Sequence, residues 1–405
     1  MRGGMDSTND SLLRNARFLR LWIGQGTSFV GDAVSMVALV VLVVQITGSA
    51  SAVGGALVAR LLPTIASPLA GVLADRVDRR IVLVSSDLAR AVLIMGLVFA
   101  RDLVTIYALV FLVGLARTIF NPTIRAAFPS VVGEGDLTRA NALIGGTFSI
   151  SETVGPALGG LLVATVGIAS AFVLDAVTYL ISAALLTLTP LGRPQRKDED
   201  VGFAEDLKAG FVYLAGARVP LAIVAGAFLT VLTINTTIPA EVFLAKETFE
   251  AGNAGYGLLV GLWGGGMVLG SAVIAVLGGR ISLMPLYLAS IFASALALFA
   301  TGISPTFVLA LIALTIAGLA NGIDDVTANT ILQKQVPDAF LGRVFAVRLL
   351  SYGAGEALAF TVGGLVVDAV GQRSTYIYAG AATAVAGSLM LLLVLATPLG
   401  RHRDE

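Results

Sequence analysis

The stretch Gly71-Val72-Leu73-Ala74-Asp75-Arg76-Val77-Asp78-Arg79-Arg80 decides the fold, because it places five charges in one turn between two long apolar segments. These segments are residues 51–70 and 81–100, and each is long enough to cross the ~30 Å hydrocarbon core of a bilayer as a helix. A densely charged hinge between two segments of this length is typical of a short loop at a membrane surface. The sequence therefore predicts an integral membrane protein.

Composition supports the membrane prediction and excludes several other classes. Of 405 residues, 57% are hydrophobic and 13% are charged, and the mean hydropathy is +0.91. A net charge of zero argues against a partner nucleic acid. The absence of Cys and the single His402, in the polar tail, exclude thiolate, haem and Cys- or His-based metal chemistry. No phosphate-binding Gly-x-x-x-x-Gly-Lys-Ser/Thr loop occurs, so the chain is not expected to hydrolyse ATP. No enzymatic activity and no cofactor are predicted.

Apolar segments of membrane-spanning length recur along the whole chain, and about twelve are counted at ~20 residues per span. The predicted spans are 18–46, 51–73, 81–100, 103–124, 139–166, 169–190, 219–245, 254–277, 281–302, 305–329, 343–370 and 374–397. Most loop Lys and Arg residues fall on the side of both termini, whereas the opposite loops carry only Arg101, Lys246 and Arg373. Both termini are therefore predicted to be cytoplasmic.

The longest polar interruption, residues 192–218, lies at the middle of the chain and divides it into two halves. It contains a predicted amphipathic helix, residues 203–214, with Phe203, Leu207, Phe211 and Leu214 on one face. We predict an N-terminal six-helix bundle at 1–190, a cytoplasmic linker at 191–218 and a C-terminal six-helix bundle at 219–405.

The two halves are related by an internal repeat at a shift of 204 residues. At this shift Leu137 falls on Leu341, Arg139 on Arg343, Glu152 on Glu356, Gly159-Gly160-Leu161 on Gly363-Gly364-Leu365, and Gly167 on Gly371. Shared apolar composition alone would not align charges and glycines together. A repeat of half the chain length predicts two related helical bundles with a substrate site near the membrane midplane.

The charged stretch resembles the loop between helices 2 and 3 of the major facilitator superfamily, whose pattern is Gly-x-Leu-Ala-Asp-Arg-x-Gly-Arg-Lys. Asp78 and Arg80 depart from that pattern. The form Asp-Arg-x-Asp-Arg-Arg, with Phe120-Asn121-Pro122 and Gly342-Arg343-Val344-Phe345, resembles drug:proton antiporter family 3, the branch of macrolide and enterobactin exporters. The resemblance implies an all-α protein of twelve transmembrane helices in two pseudo-symmetric bundles, functional as a monomer in a bacterial inner membrane.

Ionisable residues within the predicted spans are candidates for proton coupling, because a charge inside the bilayer costs several kcal/mol unless it is paired or hydrated. Asp32 lies ~18 Å into the first span, and Glu152 and its repeat partner Glu356 lie at similar depth. By the resemblance, Arg117 occupies the position of a membrane-embedded arginine and would pair with Asp32 when the proton leaves. A fixed structural ion pair is the alternative interpretation.

Other charged residues in the spans have interpretations of their own. Asp87 and Arg90 are three residues apart and are predicted to form a structural pair on one helix face. Asp324-Asp325 could attract a cationic substrate or bind Arg343, and the sequence does not choose between these.

Three further groups complete the candidate site. By the resemblance, a conformational lock comprises Gly71, Asp75, Arg76, Arg79, Arg80 and Arg343. The sequence Gly155-Pro156-x-x-Gly159-Gly160 resembles an exporter signature that lets helices 5 and 8 approach closely, and span 8 carries Gly261 and Gly264-Gly265-Gly266 opposite it. Residues that could line a substrate cavity are Phe29, Arg60, Phe148, Trp263 and Tyr352.

These observations predict a secondary active exporter that exchanges protons for a small amphipathic molecule, a macrolide-type drug or a siderophore, within the lipid bilayer. Two alternatives stay open. One is transport of a lysophospholipid or another lipid, and the other is a membrane protein that binds a ligand without transporting it.

Overall fold

The structure is a computed structural model that describes residues 9–67, 77–191, 203–277 and 281–395, and within these ranges it is helical without a β-strand. The α-helices are α1 Asn9–Arg14, α2 Ala16–Thr47, α3 Ala50–Leu61, α4 Arg79–Leu97, α5 Leu103–Val132, α6 Leu137–Thr165, α7 Ile168–Thr187, α8 Phe203–Gly216, α9 Arg218–Asn235, α10 Ile238–Phe243, α11 Gly252–Leu277, α12 Leu283–Ile303, α13 Phe307–Gln335, α14 Asp338–Val370 and α15 Gln372–Leu395. Shorter segments are the 3-10 turns Leu62–Ala66 and Glu134–Asp136 and the π-helical turn Leu244–Thr248. The predicted all-α class is confirmed.

Helix boundaries follow the internal repeat. The helices α4, α5 and α7 begin at residues 79, 103 and 168, and α12, α13 and α15 begin at 283, 307 and 372, each 204 residues later. The capping positions also correspond, because Asp102 accepts the backbone N–H of Thr105 at 2.9 Å and Thr306 accepts that of Leu309 at 3.4 Å. A side-chain oxygen at the N-cap satisfies a backbone donor that the helix leaves unpaired. The register of the repeat therefore matches the starts of these three pairs of helices, whereas α6 and α14 begin at residues 137 and 338 and depart from it by three residues.

Helix α2 shows why the first span begins and ends where it does. The side chain of Asn15 accepts the backbone N–H groups of Arg17 at 3.0 Å and Phe18 at 3.3 Å. At the other end Gly48 adopts φ 63°, a left-handed conformation that glycine tolerates without a steric cost. Between these caps the apolar residues form a continuous helix of 32 residues.

The chain folds into two compact units, and neither is a continuous half of the sequence. The first comprises Met1–Gly48, Ala56–Asp198 and Gly252–Gly261, and the second comprises Ser49–Gly55, Glu199–Ala251 and Leu262–Glu405. Two short segments thus belong to the unit that holds the other half of the sequence. The predicted domain boundaries follow sequence order alone, so they assign each of these two segments to the half of the sequence that contains it.

Nine helical segments of the described ranges are long and apolar enough to cross a membrane. They are Ala16–Thr47, Leu103–Val132, Ile168–Thr187, Arg218–Thr248, Gly252–Leu277, Leu283–Ile303, Phe307–Gln335, Asp338–Val370 and Gln372–Leu395. The other three predicted spans coincide with a shorter apolar helix, Ala50–Ile65, and with α4 and α6. The count of twelve therefore stays a prediction.

The predicted amphipathic helix of the central linker is present as α8. Leu207, Tyr213 and Leu214 pack into a cluster with residues of α14, and the Tyr213 ring stacks on Phe340 at 4.8 Å between centroids. Of the four residues predicted for the apolar face, Leu207 and Leu214 pack in this cluster and the Phe211 side chain is 53% exposed, while the side chain of Phe203 lies outside the described part of the structure. Phe211 lies one turn from Leu207, but α8 rests on α14 through a narrower face than the sequence pattern indicated.

The Asp102 cap predicts a pH-dependent contribution to stability. The backbone N–H of Thr105, and then its hydroxyl, hold the pKa of Asp102 below its usual range. A lowered folded-state pKa stabilises the fold above the ordinary value of about 3.9, and this stabilisation disappears as the pH falls through the folded-state value. We expect Asp102→Ala to lower the thermal midpoint in detergent at neutral pH and to converge with wild type in acid.

Asp136→Ala is the matched control for this measurement, since Asp136 precedes α6 without a side-chain capping hydrogen bond. Thermal midpoints of both variants would be compared with wild type between about pH 7 and about pH 3. A difference for Asp102→Ala that stays constant over this range would contradict the capping role.

Candidate functional site

A cluster of charged side chains lies within the first unit, with Asp32 of α2 at its centre. Asp32 is 8% exposed, and it accepts a hydrogen bond from the hydroxyl of the fully buried Tyr179 on α7. The Oδ2 atom of Asp32 lies 4.0 Å from Nη1 of Arg117 on α5. The two residues that the sequence analysis proposed as partners are therefore within ion-pair distance.

Arg117 and Arg60 give this carboxylate a positive environment that is accessible from one side. The Arg117 side chain is 34% exposed, and Arg60 of α3 is half-buried with its Nη1 against the sulfur of Met36. A cavity of about 20 Å³ is lined by Asp32, Ser35 and Arg60 together with apolar residues of α4, α5 and α7. This is enough space for about one water molecule beside the carboxylate.

Arg90 and Asp87 of α4 form the predicted pair and are both buried. The Arg90 guanidinium lies between two aromatic rings, 4.3 Å from the centroid of Phe120 and 4.3 Å from that of Tyr179. An arginine stacked in this way and bound to a carboxylate is held in one position. Arg90 therefore fixes Tyr179, whose hydroxyl in turn reaches Asp32.

Glu152 of α6 differs from Asp32 in its exposure. Its side chain is exposed, yet it lies within electrostatic reach of Arg60, Arg117 and Asp32. One turn earlier on α6, the ring of Phe148 packs edge-on against Phe29 of α2, with centroids 5.2 Å apart. The structure thus places Glu152 and two predicted cavity residues on the two helices that border the cluster.

The second unit carries a smaller charged cluster, in which Arg348 of α14 is the centre. Its Nη2 lies 2.9 Å from Oδ1 of Asp325, and its Nη1 donates to Asn329 at 2.7 Å. The predicted cavity residue Tyr352 is half-exposed, and the candidate Glu356 lies close to it on the same helix.

The alternative in which Asp325 binds Arg343 is not what the structure contains. Arg343 donates from Nε to Oδ1 of Asp206 on α8 at 2.9 Å, and its guanidinium lies over the Phe340 ring. The sequence analysis did not consider Asp206 of the linker helix as a partner of Arg343, and the structure pairs these two residues. Asp325 is bound instead by Arg348.

The predicted lock lies only partly within the described ranges. Gly71, Asp75 and Arg76 lie outside them, while Arg79 and Arg80 form the first turn of α4. Asp78, the departure from the superfamily pattern, is the N-cap of α4, and its carboxylate accepts the backbone N–H of Arg80 at 2.9 Å and that of Ile81 at 3.3 Å. An aspartate therefore caps a helix at a position where the superfamily has glycine.

The glycine signature on α6 brings helix backbones together. A Cβ on Gly159 would lie 2.8 Å from the carbonyl oxygen of Val34, and one on Gly160 would lie 2.5 Å from that of Asn253 on α11. On the facing helix, Gly257 and Gly261 make the approach, with a Gly261 Cβ 2.8 Å from the Thr153 carbonyl oxygen.

The predicted facing residues on α11 were therefore correct only in part. Gly266 packs against Thr315 and Leu319 of α13 rather than against α6. Trp263, predicted to line a cavity, is half-buried, and its main chain packs against Gly318 of α13. Gly266 lies nine residues beyond Gly257, and at about 100° per residue this places it on the opposite side of α11 from Gly257.

Gly160 offers a test of this packing. Gly160→Ala would place a methyl group against backbone atoms that cannot move aside, and overpacking of this kind costs about 1–3 kcal/mol. We expect a lower thermal midpoint in detergent. Gly145→Ala is the control on the same helix, because a Cβ there meets no atom within 4 Å. Equal midpoints for the two variants would contradict the close approach.

Three acidic residues were missed by the sequence analysis, and two of them are buried. Asp175 of α7 is fully buried beside the Asp32 cluster, and Glu241 of α10 is also buried. Asp368 of α14 caps the start of α3 by accepting the backbone N–H of Ala50 at 2.8 Å and that of Ser51 at 3.0 Å. Asp175 and Glu241 each interrupt an apolar segment, so the criterion that selected Asp32 would also have selected them.

Within the described ranges, no group of three or more Asp, Glu, His or Cys side chains is placed to hold a metal ion. What the site offers is a buried carboxylate that a partly exposed guanidinium can approach, with room for water beside it. The negative charge of such a carboxylate can be neutralised either by binding a proton or by pairing with the guanidinium. Charged side chains buried within the apolar helices of a membrane protein are a feature of membrane transporters.

The family model described as transmembrane secretion effector matches residues 7–402, so the chain belongs to this family of the major facilitator superfamily. Macrolide efflux protein A of Streptococcus pyogenes is 23% identical over 95% of this chain and 95% of that protein. Enterobactin exporter EntS of Shigella boydii is 27% identical over 87% of this chain and 83% of that protein. The crystal structure of the nucleoside transporter NupG matches with a TM-score of 0.76 at 15% identity, over 93% and 99% of the two chains, and shows the fold alone.

Family membership establishes the class of activity. The chain is a multi-pass transporter of a bacterial cell membrane and not an enzyme. Its substrates are small molecules, and the exporters among its relatives support efflux as the direction of transport.

Proposed function

We propose that this protein exports a small amphipathic molecule in exchange for protons, by alternating access, and that Asp32 is the proton-binding residue. The observation that carries the proposal is the Asp32 carboxylate, buried in a membrane helix, 4.0 Å from a guanidinium that is itself one-third exposed. Protonation of Asp32 releases Arg117, and deprotonation restores the attraction between them. A proton can thereby change which helices are held together.

Arg117 is suited to this exchange because it is not fixed in the way that Arg90 is. Arg90 is buried and stacked between two rings, whereas the Arg117 side chain is partly exposed and approaches Asp32 only at the limit of ion-pair distance. The cavity beside Asp32 supplies a place for a water molecule that carries the proton. The second candidate for proton binding is Glu152, which is exposed and lies within electrostatic reach of Arg117. Glu356 is the counterpart of Glu152 in the repeat.

The substrate classes that we propose are macrolide-type drugs and siderophores. They are supported by the names of two relatives that align over most of this chain, macrolide efflux protein A and an enterobactin exporter. We further propose two six-helix bundles joined by the linker at 191–218, both termini in the cytoplasm, a lock that includes Arg79, Arg80 and Arg343, and activity as a monomer.

The test is proton release from purified protein in weakly buffered detergent solution when erythromycin or enterobactin is added, with ligand binding measured in parallel. Antiport predicts that ligand binding displaces a proton from wild type. It also predicts that Asp32→Asn binds the ligand but releases no proton. Binding without release in wild type would contradict proton antiport. Release that persists in Asp32→Asn would transfer the role to Glu152, which Glu152→Gln then tests.

A further inference from the structure

Asp175 is a fully buried carboxyl group on α7 that the exchange between Asp32 and Arg117 does not use. The Thr178 hydroxyl donates to the main-chain oxygen of Asp175 at 2.7 Å and lies 3.4 Å from its Oδ1. Its Oδ2 is buried and accepts no hydrogen bond within the described ranges. An ionised carboxylate with one oxygen unpaired is costly in such surroundings, so this position favours the neutral acid.

Asp175 lies within electrostatic reach of Asp32, because Gly31 lets α2 and α7 approach at the preceding position. A Cβ on Gly31 would lie 2.5 Å from Oδ1 and 3.2 Å from Cα of Asp175 and would also clash with the Thr178 hydroxyl, so a larger residue would displace these side chains. The next residue is Asp32, whose charge acts on Asp175 more strongly than that of any other residue. Two carboxyl groups are thus held next to each other inside the membrane region.

The two acids differ in what surrounds them. Asp32 accepts the Tyr179 hydroxyl and faces Arg117, so its anion is stabilised. No guanidinium of the described ranges lies within ion-pair distance of Asp175. When two adjacent carboxyl groups share a site, the one with fewer partners holds the proton.

The charged and titratable groups around the pair come from every neighbouring helix. They are Asp32 on α2, Arg60 on α3, Asp87 and Arg90 on α4, Arg117 on α5, Glu152 on α6 and Tyr179 on α7. Arg90 is engaged by Asp87, and Arg117 approaches Asp32. Arg60 is the remaining arginine that acts on Asp175, and its Nη1 is against Met36.

We propose that Asp175 is a second proton-binding residue, which keeps its proton while Asp32 is ionised and forms with Asp32 a pair that carries one or two protons during transport. The role of the pair in transport rests on the proposed proton antiport. The protonation of Asp175 is independent of that proposal. When Arg117 leaves Asp32, one proton binds the Asp32 carboxylate and the pair becomes fully protonated. When Arg117 returns, that proton is released, and no other reactant is needed.

The first test needs no ligand. Infrared spectra of the purified full-length protein, recorded as a function of pH, report the carbonyl stretch of protonated carboxyl groups. We expect the band at neutral pH to lose one component in Asp175→Asn, and we expect this component to shift without disappearing in Asp175→Glu. Asp32→Asn should retain the band and change the pH at which it disappears, since it alters the neighbouring charge.

A band that is unchanged in both Asp175 variants would show that Asp175 is ionised and would overturn the proposal. Asp175→Glu keeps the test decisive even if the asparagine variant does not fold. If wild type releases no proton on binding erythromycin or enterobactin, antiport fails, but the infrared band still reports on Asp175. If wild type releases protons, Asp175→Asn should release the same number of protons per ligand, because Asp175 keeps its proton while Asp32 exchanges one; a smaller number would contradict a retained proton on Asp175.

Discussion

Arg90→Ala is expected to destabilise the protein by about 3–5 kcal/mol, because removing one partner of a buried ion pair leaves the other charge uncompensated. Asp87 is fully buried and has one oxygen without a hydrogen bond even when Arg90 is present. The substitution also removes the contacts of the guanidinium with Phe120 and Tyr179. The measurement is the midpoint of heat-induced unfolding in detergent, compared with wild type.

The control is the double variant Asp87→Leu with Arg90→Met, in which both charges are replaced by apolar side chains of similar size. Replacing a whole buried pair is often close to neutral, so the double variant should recover most of the stability that Arg90→Ala loses. If the double variant were as unstable as the single one, the pair would not be the cause. The loss would then reflect the packing of Arg90 against the two rings.

Asp32→Asn is expected to reduce uphill efflux in proteoliposomes to the level of vesicles without protein. The amide cannot bind or release a proton, so the electrostatic hold on Arg117 would no longer depend on the proton gradient. Downhill exchange of the same molecule across the membrane should continue, because the variant still binds ligand. The two assays separate loss of coupling from loss of folding.

Asp32→Glu should retain part of the uphill transport, since the carboxyl group is preserved with one more methylene. Asp136→Asn is the control for a carboxylate outside the cluster, at the start of α6. Uphill efflux by Asp32→Asn at the wild-type rate would show that coupling does not depend on this residue. Glu152 and Asp175 would then be the remaining acids of the same unit to test.

Sequence reasoning succeeded where the signal is local or repeated. Hydropathy placed the long helices, and the starts of α4 and α12 at Arg79 and Leu283 agree with the shift of 204 residues found in the repeat. The pairing of Asp87 with Arg90 followed from helical spacing. The approach of Arg117 to Asp32 came from the family resemblance, since the two residues are far apart in sequence and on different helices.

Interactions that depend on tertiary packing were not predictable in the same way. No local pattern indicates that Asp368 caps α3 or that Arg343 binds Asp206 on the linker helix. Asp175 differs, because it lies in a predicted span and met the criterion applied to Asp32. Asp78 was interpreted as a departure from a family pattern, although an aspartate before an apolar helical segment is also a signal for a helix start.

Tyr179 links a part of the protein that must stay fixed to a part that is proposed to change. Its ring holds the stacked Arg90, and its hydroxyl reaches the Asp32 carboxylate. Replacing the Tyr179 ring would therefore affect two sites at once, because it would change the surroundings of Asp32 and also remove a contact that holds Arg90. This limits the substitutions at Tyr179 that can accompany a change of substrate. Libraries that seek altered drug specificity should leave Tyr179 intact and vary the exposed positions near Glu152, such as Phe148, where no buried charge depends on the side chain.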